Sequence, residues 1–187
     1  MKKIILASSS PRRIEMMKQH GYDPLIMPAD VDETLHFPMS PESAVMYLAF
    51  KKAAHIATTL NNSDPVRIIA ADTVVVYENT IIGKPENRED ARRILPQLRD
   101  DHHHVITGVC ILDTDTKCKQ CFYEKTAVYF SSYTDAELEA YLDTPEPYDK
   151  AGAYAIQGTF RQYIHHIEGD YDNVVGFPWS RIKTYLE

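Results

Sequence analysis

The sequence predicts a fold of the α/β or α+β class with a mixed β-sheet, because helical and extended patterns alternate along the chain. The segment from Arg67 to Tyr77 gives the strongest strand signal, since it is β-branched and apolar on both faces like a central strand. Helical patterns that open at Ser40-Pro41 and at Asn87 flank it. The chain has 187 residues, 44% of them hydrophobic and 25% charged, which is typical of a globular protein. We therefore expect a single domain over residues 1–187.

The chain before the central strand is predicted to form a short strand and two helices. Residues 3–7 are predicted to form a short buried strand, because residues 4–7 are apolar and run directly into the turn with three serines. Ser10 is a favourable N-cap for the first helix, which begins with a proline and is closed by Gly21. The second helix runs to about Leu60, and residues 61–65 form a turn cluster.

The chain after the central strand is predicted to form a hairpin strand, a helix and two more strands. It turns back through residues 80–82, and Asn87 then caps the third helix. Pro96 should kink or shorten that helix, because proline has no amide hydrogen to donate. Residues 105–112 and 121–130 are strands on either side of a polar turn.

The last third of the chain opens with a clear helix start. Thr134 and Glu137 have the spacing of a capping box, so we expect a helix from there to about Leu142. Two prolines then mark a loop. The chain ends in a short strand and a helix around residues 181–185.

Charge and hydropathy limit the partners of the protein. The chain has 20 Lys and Arg against 27 Asp and Glu, a net charge of −7, which argues against a non-specific nucleic-acid binder. A small anionic ligand held by a local group of cations is compatible with this balance. No apolar run approaches the roughly 20 residues of a membrane-spanning helix, and the apolar N-terminal stretch is too short for a signal peptide. We therefore expect a cytoplasmic protein that binds neither nucleic acid nor membrane.

Cysteines and histidines form two short clusters that could suggest metal binding. Cys118 and Cys121 make a single C-x-x-C with Cys110 before it, and no second pair or zinc-spaced histidine accompanies them. Reduced thiols on adjacent strands are the favoured interpretation, with a metal site as the alternative. The histidines at 102–104 point in alternating directions, so we do not expect them to form a ligand set.

The segment LASSSPRR at 6–13 is the first candidate binding site. A strand, a serine-rich turn and a helix N-terminus together present free backbone N–H groups and a positive dipole end. Arg12 and Arg13 lie in the first helical turn, where cations oppose the dipole, and a bound anion would account for them. The alternative is a capped helix with solvated arginines.

Asp72 is the second candidate, because a carboxylate within an apolar strand must be hydrogen-bonded, paired or metal-bound to offset its desolvation. A purely structural aspartate is the alternative.

Lys84 in a glycine turn and Lys150 in PYDKAGAY are weaker candidates, since single lysines are usually solvated. The small residues around Gln157 could let the backbone approach a planar ligand such as a base, or could form an ordinary turn.

Taken together, these segments resemble the Maf family of nucleotide pyrophosphatases. The matching motifs follow the family's order over nearly the whole chain: LASSSPRR at 6–13, Asp32-Glu33, Lys52-Ala53, AADTVV at 70–75, GKP at 83–85, His103 with TGV at 107–109, ExTxVxF at 124–130, EPYDKAGAYAIQG at 146–158 and GDYDNVVGFP at 169–178. The chain departs from the pattern at Arg99-Asp100, where the family usually has Ser-Gly, and at Phe50, which replaces an often charged residue.

The resemblance implies a fold and a reaction. The fold is an elongated mixed β-sheet with flanking helices and two lobes around a cleft, which is the Maf or ITPase-like arrangement. The reaction is hydrolysis of a nucleoside triphosphate to the monophosphate and pyrophosphate with Mg²⁺ or Mn²⁺. Asp72 matches the family's proton acceptor, and Arg12, Thr73 and Gln157 match positions tied to substrate choice. These residue types are those of the dTTP/UTP branch rather than the 7-methyl-GTP branch.

On this basis we expect Glu33 and Asp72 to supply the carboxylates that hold the metal. Whether Asp72 activates the water itself or holds the metal that does so is left open. Four further residues are expected to bind the substrate phosphates: Ser8, Arg13, Lys52 and Lys84.

Two alternatives to the hydrolysis of unmodified dTTP and UTP are left open. The pocket could serve a non-catalytic nucleotide-binding regulator of cell division, because the family has long been linked by name to septum formation. The substrates could also be modified pyrimidine nucleotides such as 5-methyl-UTP or pseudo-UTP. The resemblance further suggests a homodimer.

Overall fold

The computed structural model describes residues 2–60 and 65–186, whose strands form one mixed sheet. The strands are β1 (Lys3–Leu6), β2 (Leu25–Ile26), β3 (Val66–Tyr77), β4 (Thr80–Ile82), β5 (His102–Asp113), β6 (Lys119–Phe130) and β7 (Ile164–Glu168). Their order is β2-β1-β3-β5-β6-β7, and β4 pairs with β3 off this path. Strand β1 is parallel to β2 and β3, whereas β3–β4 and β6–β7 are antiparallel. The predicted mixed sheet is confirmed.

Six α-helices and four short 3₁₀ helices accompany the strands in the part of the chain that is described. The α-helices are α1 (Pro11–Gln19), α2 (Pro41–Thr59), α3 (Arg88–Leu98), α4 (Asp135–Leu142), α5 (Tyr171–Val175) and α6 (Trp179–Ile182). The 3₁₀ helices are Glu146–Asp149, Ala151–Ala153, Thr159–Tyr163 and Lys183–Tyr185. Within residues 2–60 and 65–186, no helix combines the length and apolar character needed to cross a membrane.

The predicted helix caps are present, and the helices differ from the sequence prediction in two details. The Asn87 side chain accepts a hydrogen bond from the third residue of α3, and Thr134 and Glu137 form the full capping box. Ser10 is the N-cap of α1, but its side chain makes no capping hydrogen bond. Helix α3 is not shortened at Pro96 and continues to Leu98, a fully buried residue whose packing holds the last turn.

Several short elements are absent from the sequence prediction. Strand β2 has two residues, helix α5 has five, and the 3₁₀ helices between residues 146 and 163 have three to five each. Such segments are too short for a periodic hydrophobic pattern to mark them. The predicted turn cluster at 61–65 falls mostly on residues 61–64, which lie outside the described residues.

The chain divides into two compact units. The first unit comprises Met1–Asp72, Thr107–Glu124 and Gly176–Glu187, and the second comprises Thr73–Ile106 and Lys125–Val175. Strands β3, β5 and β6 each contribute residues to both units.

The core of the first unit packs α2 closely against β3 and β5. Ala49 and Ala53 of α2 are fully buried with Ile68 and Ala70 of β3 and with Cys110 of β5. Because alanine side chains are short, the helix axis lies near the strands. Polar residues beside these alanines on α2 can therefore reach the sheet.

The core of the second unit is aromatic. Phe160 is fully buried, and the ring centroids of Phe130, Tyr133 and Tyr141 lie 5.4, 5.1 and 4.5 Å from its own. Edge and tilted contacts of this kind add to the burial of apolar area. They fix the 3₁₀ segment at 159–163 and the residues just before it.

Gly108 of β5 lets α2 approach the sheet at backbone distance. A Cβ atom at this position would lie 2.3 Å from the carbonyl carbon of Val45 and 2.6 Å from the amide nitrogen of Met46. Both are helix backbone atoms, so the clash could be relieved only by moving α2 as a whole. The glycine of the TGV motif therefore fixes the helix that carries Lys52.

We predict that Gly108→Ala lowers the stability of the protein by about 3 kcal/mol, because overpacking against a backbone cannot be relieved by a rotamer change. Gly83→Ala is the matched control, since no atom lies within 4 Å of a Cβ built at Gly83. Urea unfolding followed by circular dichroism measures both variants. Equal stability of the two variants would contradict the predicted role of Gly108.

Candidate active site

The loop between β1 and α1 is held by hydrogen bonds that converge on Ser8. The buried Ser8 hydroxyl oxygen accepts from the backbone N–H of Ser10 at 3.2 Å and from the Arg13 guanidinium at 3.3 Å. Pro11 then starts α1, as its fixed φ favours. The loop is thus preorganised by its own side chains, and the Ser8 O–H remains able to donate.

Arg13 binds protein backbone rather than facing solvent. Its Nε donates to the carbonyl of Gly176 at 2.9 Å, and one terminal nitrogen donates to the carbonyl of Ala71 at 2.7 Å. Burial lowers the pKa of Arg13 to about 10, a shift that Asp72 opposes and Arg12 adds to. The guanidinium stays charged near neutral pH and ties α1 to β3 and to the C-terminal segment of the first unit.

Arg12 is the arginine that is available to a ligand. It is partly exposed in the first turn of α1, and it forms no hydrogen bond or ion pair with any residue in 2–60 or 65–186. The two neighbouring arginines therefore differ in kind: Arg13 is engaged by carbonyl oxygens, and Arg12 is not.

Asp72 forms an ion pair with Lys52 of α2. The Lys52 ammonium lies 2.6 Å from Asp72 Oδ1 and 2.8 Å from Glu33 Oε1. The Lys52 and Asp72 side chains are each 12% exposed, whereas Glu33 is 57% exposed. The other oxygen of Asp72, Oδ2, accepts no hydrogen bond from the described residues. One carboxylate oxygen is thus anchored while the other can serve a water molecule or a cation.

The segment that carries Glu33 is fastened to α2 by the preceding lysine. The Lys51 ammonium donates to the backbone carbonyl of Asp32. Asp32 Oδ1 in turn accepts from the backbone N–H of Thr34 at 2.9 Å, and hydrogen bonds from Thr34 lower the pKa of Asp32. Two successive lysines of α2 therefore hold Asp32 and Glu33 next to the strand.

The carboxylates of Asp72 and Glu33 fit a divalent cation only together with a ligand. No group of three or more His, Cys, Asp or Glu side chains in the described part of the chain could hold a metal ion by itself. Asp72 and Glu33 reach one common ammonium, so they are close enough to share one cation. Hard oxygen ligands of one or two carboxylates, completed by substrate phosphates, are the set that Mg²⁺ prefers.

The second unit contains the other predicted binding residues. Its Gly152 N–H donates to the Gly83 carbonyl at 3.1 Å, and Gly152, with φ +72°, packs against Val75. These contacts hold the turn with Lys84 beside the segment that leads to Gln157 and beside the strand of Thr73. Lys84 and Gln157 are exposed.

His103 fixes the same segment from inside the second unit. It is 1% exposed, and its Nε2 lies 2.7 Å from the Tyr154 hydroxyl. Burial lowers the pKa of His103 to about 3, and its neighbours His104 and His102 add to this shift. The imidazole is therefore neutral and structural, and with side chains alternating along β5 the three histidines form no common ligand set.

Comparison with known protein families identifies the family of the chain. The sequence model described as Maf-like protein matches residues 3–187. This chain belongs to the Maf family. Relatives named dTTP/UTP pyrophosphatase match it almost end to end. The one from Caldicellulosiruptor saccharolyticus is 45% identical over 190 residues, covering 100% of this chain and 94% of the relative. The one from Geobacillus sp. is 46% identical over 181 residues, covering 97% and 95%.

A third relative, from Bacillus cereus and also named dTTP/UTP pyrophosphatase, is 46% identical over 187 residues, covering 100% of this chain and 90% of the relative. Among solved structures, the Ham1 protein of Staphylococcus aureus aligns with 99% of this chain and 98% of its own at a TM-score of 0.54 and 16% identity. The chain therefore shares its fold with the Ham1 protein.

Within this Maf protein, the first unit brings together most of the predicted site residues: Ser8, Arg12, Arg13, Glu33, Lys52 and Asp72. Thr73, Lys84 and Gln157 belong to the second unit. The functional roles of the site residues in both units remain predictions. Sequence reasoning missed the structural partners of Arg13, the carbonyls of Ala71 and Gly176. No local sequence signal marks these partners, because they are 58 and 163 residues away from Arg13 in the sequence.

We predict that Lys52→Met lowers stability by about 2–3 kcal/mol, because it leaves the buried Asp72 carboxylate without its partner. Lys51→Met is the matched control and should cost about 0.5 kcal/mol, since Lys51 makes an exposed contact. The double variant Lys52→Met/Asp72→Asn should recover much of the loss. Chemical denaturation measures the three variants, and equal losses for both lysines would argue against a stabilising pair.

We also predict a pH dependence from His103. Its folded pKa lies below its ordinary value, so below about pH 6.5 the unfolded chain takes up a proton that the folded chain does not. The free energy of unfolding should therefore fall by about 1.4 kcal/mol per pH unit on acidification from this group alone. The His103→Gln variant should lose this pH dependence of the free energy of unfolding. The His102→Gln variant is the control and should keep it, because His102 is exposed. An unchanged difference between wild type and His103→Gln from pH 7 to pH 5 would refute this assignment.

Proposed function

We propose that this Maf protein hydrolyses dTTP and UTP to the monophosphate and pyrophosphate with the help of a divalent metal ion. The names of its full-length relatives support the reaction and the pyrimidine substrates. The observation that carries the proposal is the state of Asp72, a nearly buried carboxylate with one oxygen fixed by Lys52 and the other left for a reactant.

Asp72 is suited to activate the attacking water. Its anchored Oδ1 fixes the orientation of the carboxylate, so Oδ2 can accept a proton at a defined position. Attack on the α-phosphorus transfers this proton to Asp72 as the bond to the pyrophosphate oxygen breaks. A positioned general base of this kind contributes roughly 10²–10⁴-fold to the rate.

The cations that the Maf resemblance assigns to substrate binding would stabilise the triphosphate as charge builds on its oxygens. Arg12, with no protein partner among the described residues, can bind two phosphate oxygens through its planar fork. Lys84 supplies a point charge on a flexible stem, and the Ser8 hydroxyl and the start of α1 supply hydrogen bonds. Arg13 contributes indirectly, by fixing the loop that carries Ser8.

Glu33 and the Oδ1 atom of Asp72 would hold the metal ion, so that Oδ2 of Asp72 stays available as the base. When bound, Mg²⁺ or Mn²⁺ neutralises charge on the phosphate oxygens and aligns them for in-line displacement. Lys52 contacts both carboxylates, so it holds them in place before the nucleotide and its cation arrive.

The pyrimidine preference is assigned to Gln157 together with Arg12 and Thr73. The Gln157 amide offers a donor and an acceptor, which match the edge of thymine or uracil. Modified pyrimidine nucleotides such as 5-methyl-UTP present the same edge and belong among the candidate substrates. We also retain the homodimer as an expectation that light scattering can test.

The rival function is a nucleotide-binding regulator of cell division without catalysis. It requires the pocket but not the free oxygen of Asp72. Retained nucleotide binding without pyrophosphate release in the presence of metal would favour the regulator.

We predict that Asp72→Asn lowers turnover of dTTP and UTP by roughly 10²–10⁴-fold with a much smaller change in KM. Lys52 keeps Glu33 as a partner in this variant, so the fold should persist. Asp23→Asn, an exposed position of the first unit, is the matched control and should behave like wild type. Pyrophosphate release is measured for dTTP, UTP, CTP, GTP, ATP and 7-methyl-GTP with Mg²⁺ or Mn²⁺.

Release from dTTP and UTP that is lost in Asp72→Asn would support both the reaction and the role of Asp72. Near-normal turnover in Asp72→Asn would remove this residue from the mechanism. Activity on 7-methyl-GTP alone would overturn the pyrimidine assignment of Arg12, Thr73 and Gln157.

A further inference from the structure

Cys110 and Cys121 are direct cross-strand neighbours in the β5–β6 hairpin. The Asp113 N–H donates to the Cys118 carbonyl at 3.0 Å near the turn, and the Phe130 N–H donates to the Asp101 carbonyl at 2.9 Å at the far end. Both hydrogen bonds fit the same pairing register of β5 with β6, so there is no net bulge between them. In this register Cys110 of β5 lies opposite Cys121 of β6.

The backbone geometry of this pair suits a disulfide bond. Hydrogen-bonded and non-hydrogen-bonded pairs alternate along an antiparallel ladder. Asp113 and Cys118 form a hydrogen-bonded pair, so Cys110 and Cys121, three positions further, form a non-hydrogen-bonded pair. Cα atoms in such pairs are about 4.5 Å apart, within the range that a disulfide spans.

The two thiols occupy different environments. Cys110 is fully buried in the core of the first unit, whereas Cys121 is exposed. The interaction between the two thiols, in which Cys110 keeps its proton, raises the pKa of Cys110 and lowers the pKa of Cys121 to about 7. Burial opposes the shift at Cys121, and Lys119 adds to it. Lys119 lies two residues before Cys121 on the same face, with its ammonium 4.4 Å from the Phe50 ring centroid.

We propose that Cys121 is a peroxide-reactive thiol and that Cys110 is its resolving partner, so that the first unit carries a reversible dithiol–disulfide site. The cross-strand pairing, the exposed and buried positions of the two sulfurs and the adjacent ammonium carry this assignment. It is independent of the proposed nucleotide hydrolysis.

The oxidation has two balanced steps. The Cys121 thiolate attacks one oxygen of a hydroperoxide, the O–O bond breaks, and hydroxide or alkoxide leaves, which produces a sulfenic acid. The Cys110 sulfur then attacks the Cys121 sulfur, the S–O bond breaks, and water leaves with the Cys110 proton. The two thiols lose two electrons in total, and the peroxide gains them.

Cys118 is not the expected partner of Cys121. The two residues are three positions apart, and side chains alternate between the faces of a strand. The Cys118 side chain therefore belongs to the opposite face of the hairpin, although it is also exposed. Cys118→Ser is the matched control, because it removes an exposed thiol without touching the proposed pair.

The test treats the reduced full-length chain with hydrogen peroxide and maps the products by peptide mass spectrometry. We expect a Cys110–Cys121 disulfide in wild type and in Cys118→Ser, reversed by dithiothreitol. Cys110→Ser should stop at a Cys121 sulfenic acid that dimedone labels. A bridge to Cys118, a bridge between chains, or sulfinic acid alone in wild type would overturn the proposal.

A second measurement tests the hydrogen bond separately from the bridge. Cys110→Ala removes the donor, so alkylation of Cys121 at pH 7 should slow by roughly threefold, the smaller thiolate fraction being offset in part by higher nucleophilicity. Cys110→Ser keeps an O–H donor and should alkylate nearly as fast as wild type. Circular dichroism verifies that both variants are folded, and equal rates for the Ala and Ser variants would contradict the assigned role of Cys110.

Discussion

The ion pair between Asp72 and Lys52 is the constraint on which the candidate site depends. A carboxylate within the most apolar strand of the sheet needs a partner, and Lys52 provides it from α2. The pair can form only if α2 lies close to the sheet. Ala49, Ala53 and Gly108 make that approach possible, because none of them places bulk between the helix and the strands. Packing and chemistry in the first unit are therefore set by the same residues.

The two adjacent arginines show how neighbours in sequence take different roles. Arg13 uses its fork on two carbonyl oxygens and the Ser8 hydroxyl, and this fixes the loop at the start of α1. Arg12, one residue earlier on the helix, is partly exposed and meets no protein acceptor among the described residues. One arginine holds the loop rigid, and the other is left for the phosphate that we propose to bind there.

In the second unit, the conformation of the segment around residues 146–163 depends on close backbone contacts. The Gly152 N–H bonds to Gly83, and the packed ring of Phe160 anchors the following residues. The buried contact of His103 with Tyr154 adds a polar fixed point. Small residues at the contact points and aromatic rings behind them give an irregular segment a defined conformation without long helices or strands.

The sequence alone determined the longer helices and strands, the helix caps at Asn87 and Thr134, and the choice of Asp72 as a candidate site residue. Hydrophobic periodicity, capping chemistry and the cost of burying a charge are local properties, so they can be read from a short stretch of sequence. It could not decide which arginine faces protein, since the acceptors of Arg13 lie 58 and 163 positions away. Nor could it decide that Cys110 faces Cys121, which depends on the register of a hairpin. Only the tertiary structure settles such pairings, because contacts between distant segments follow from how the elements pack and leave no pattern in the local sequence.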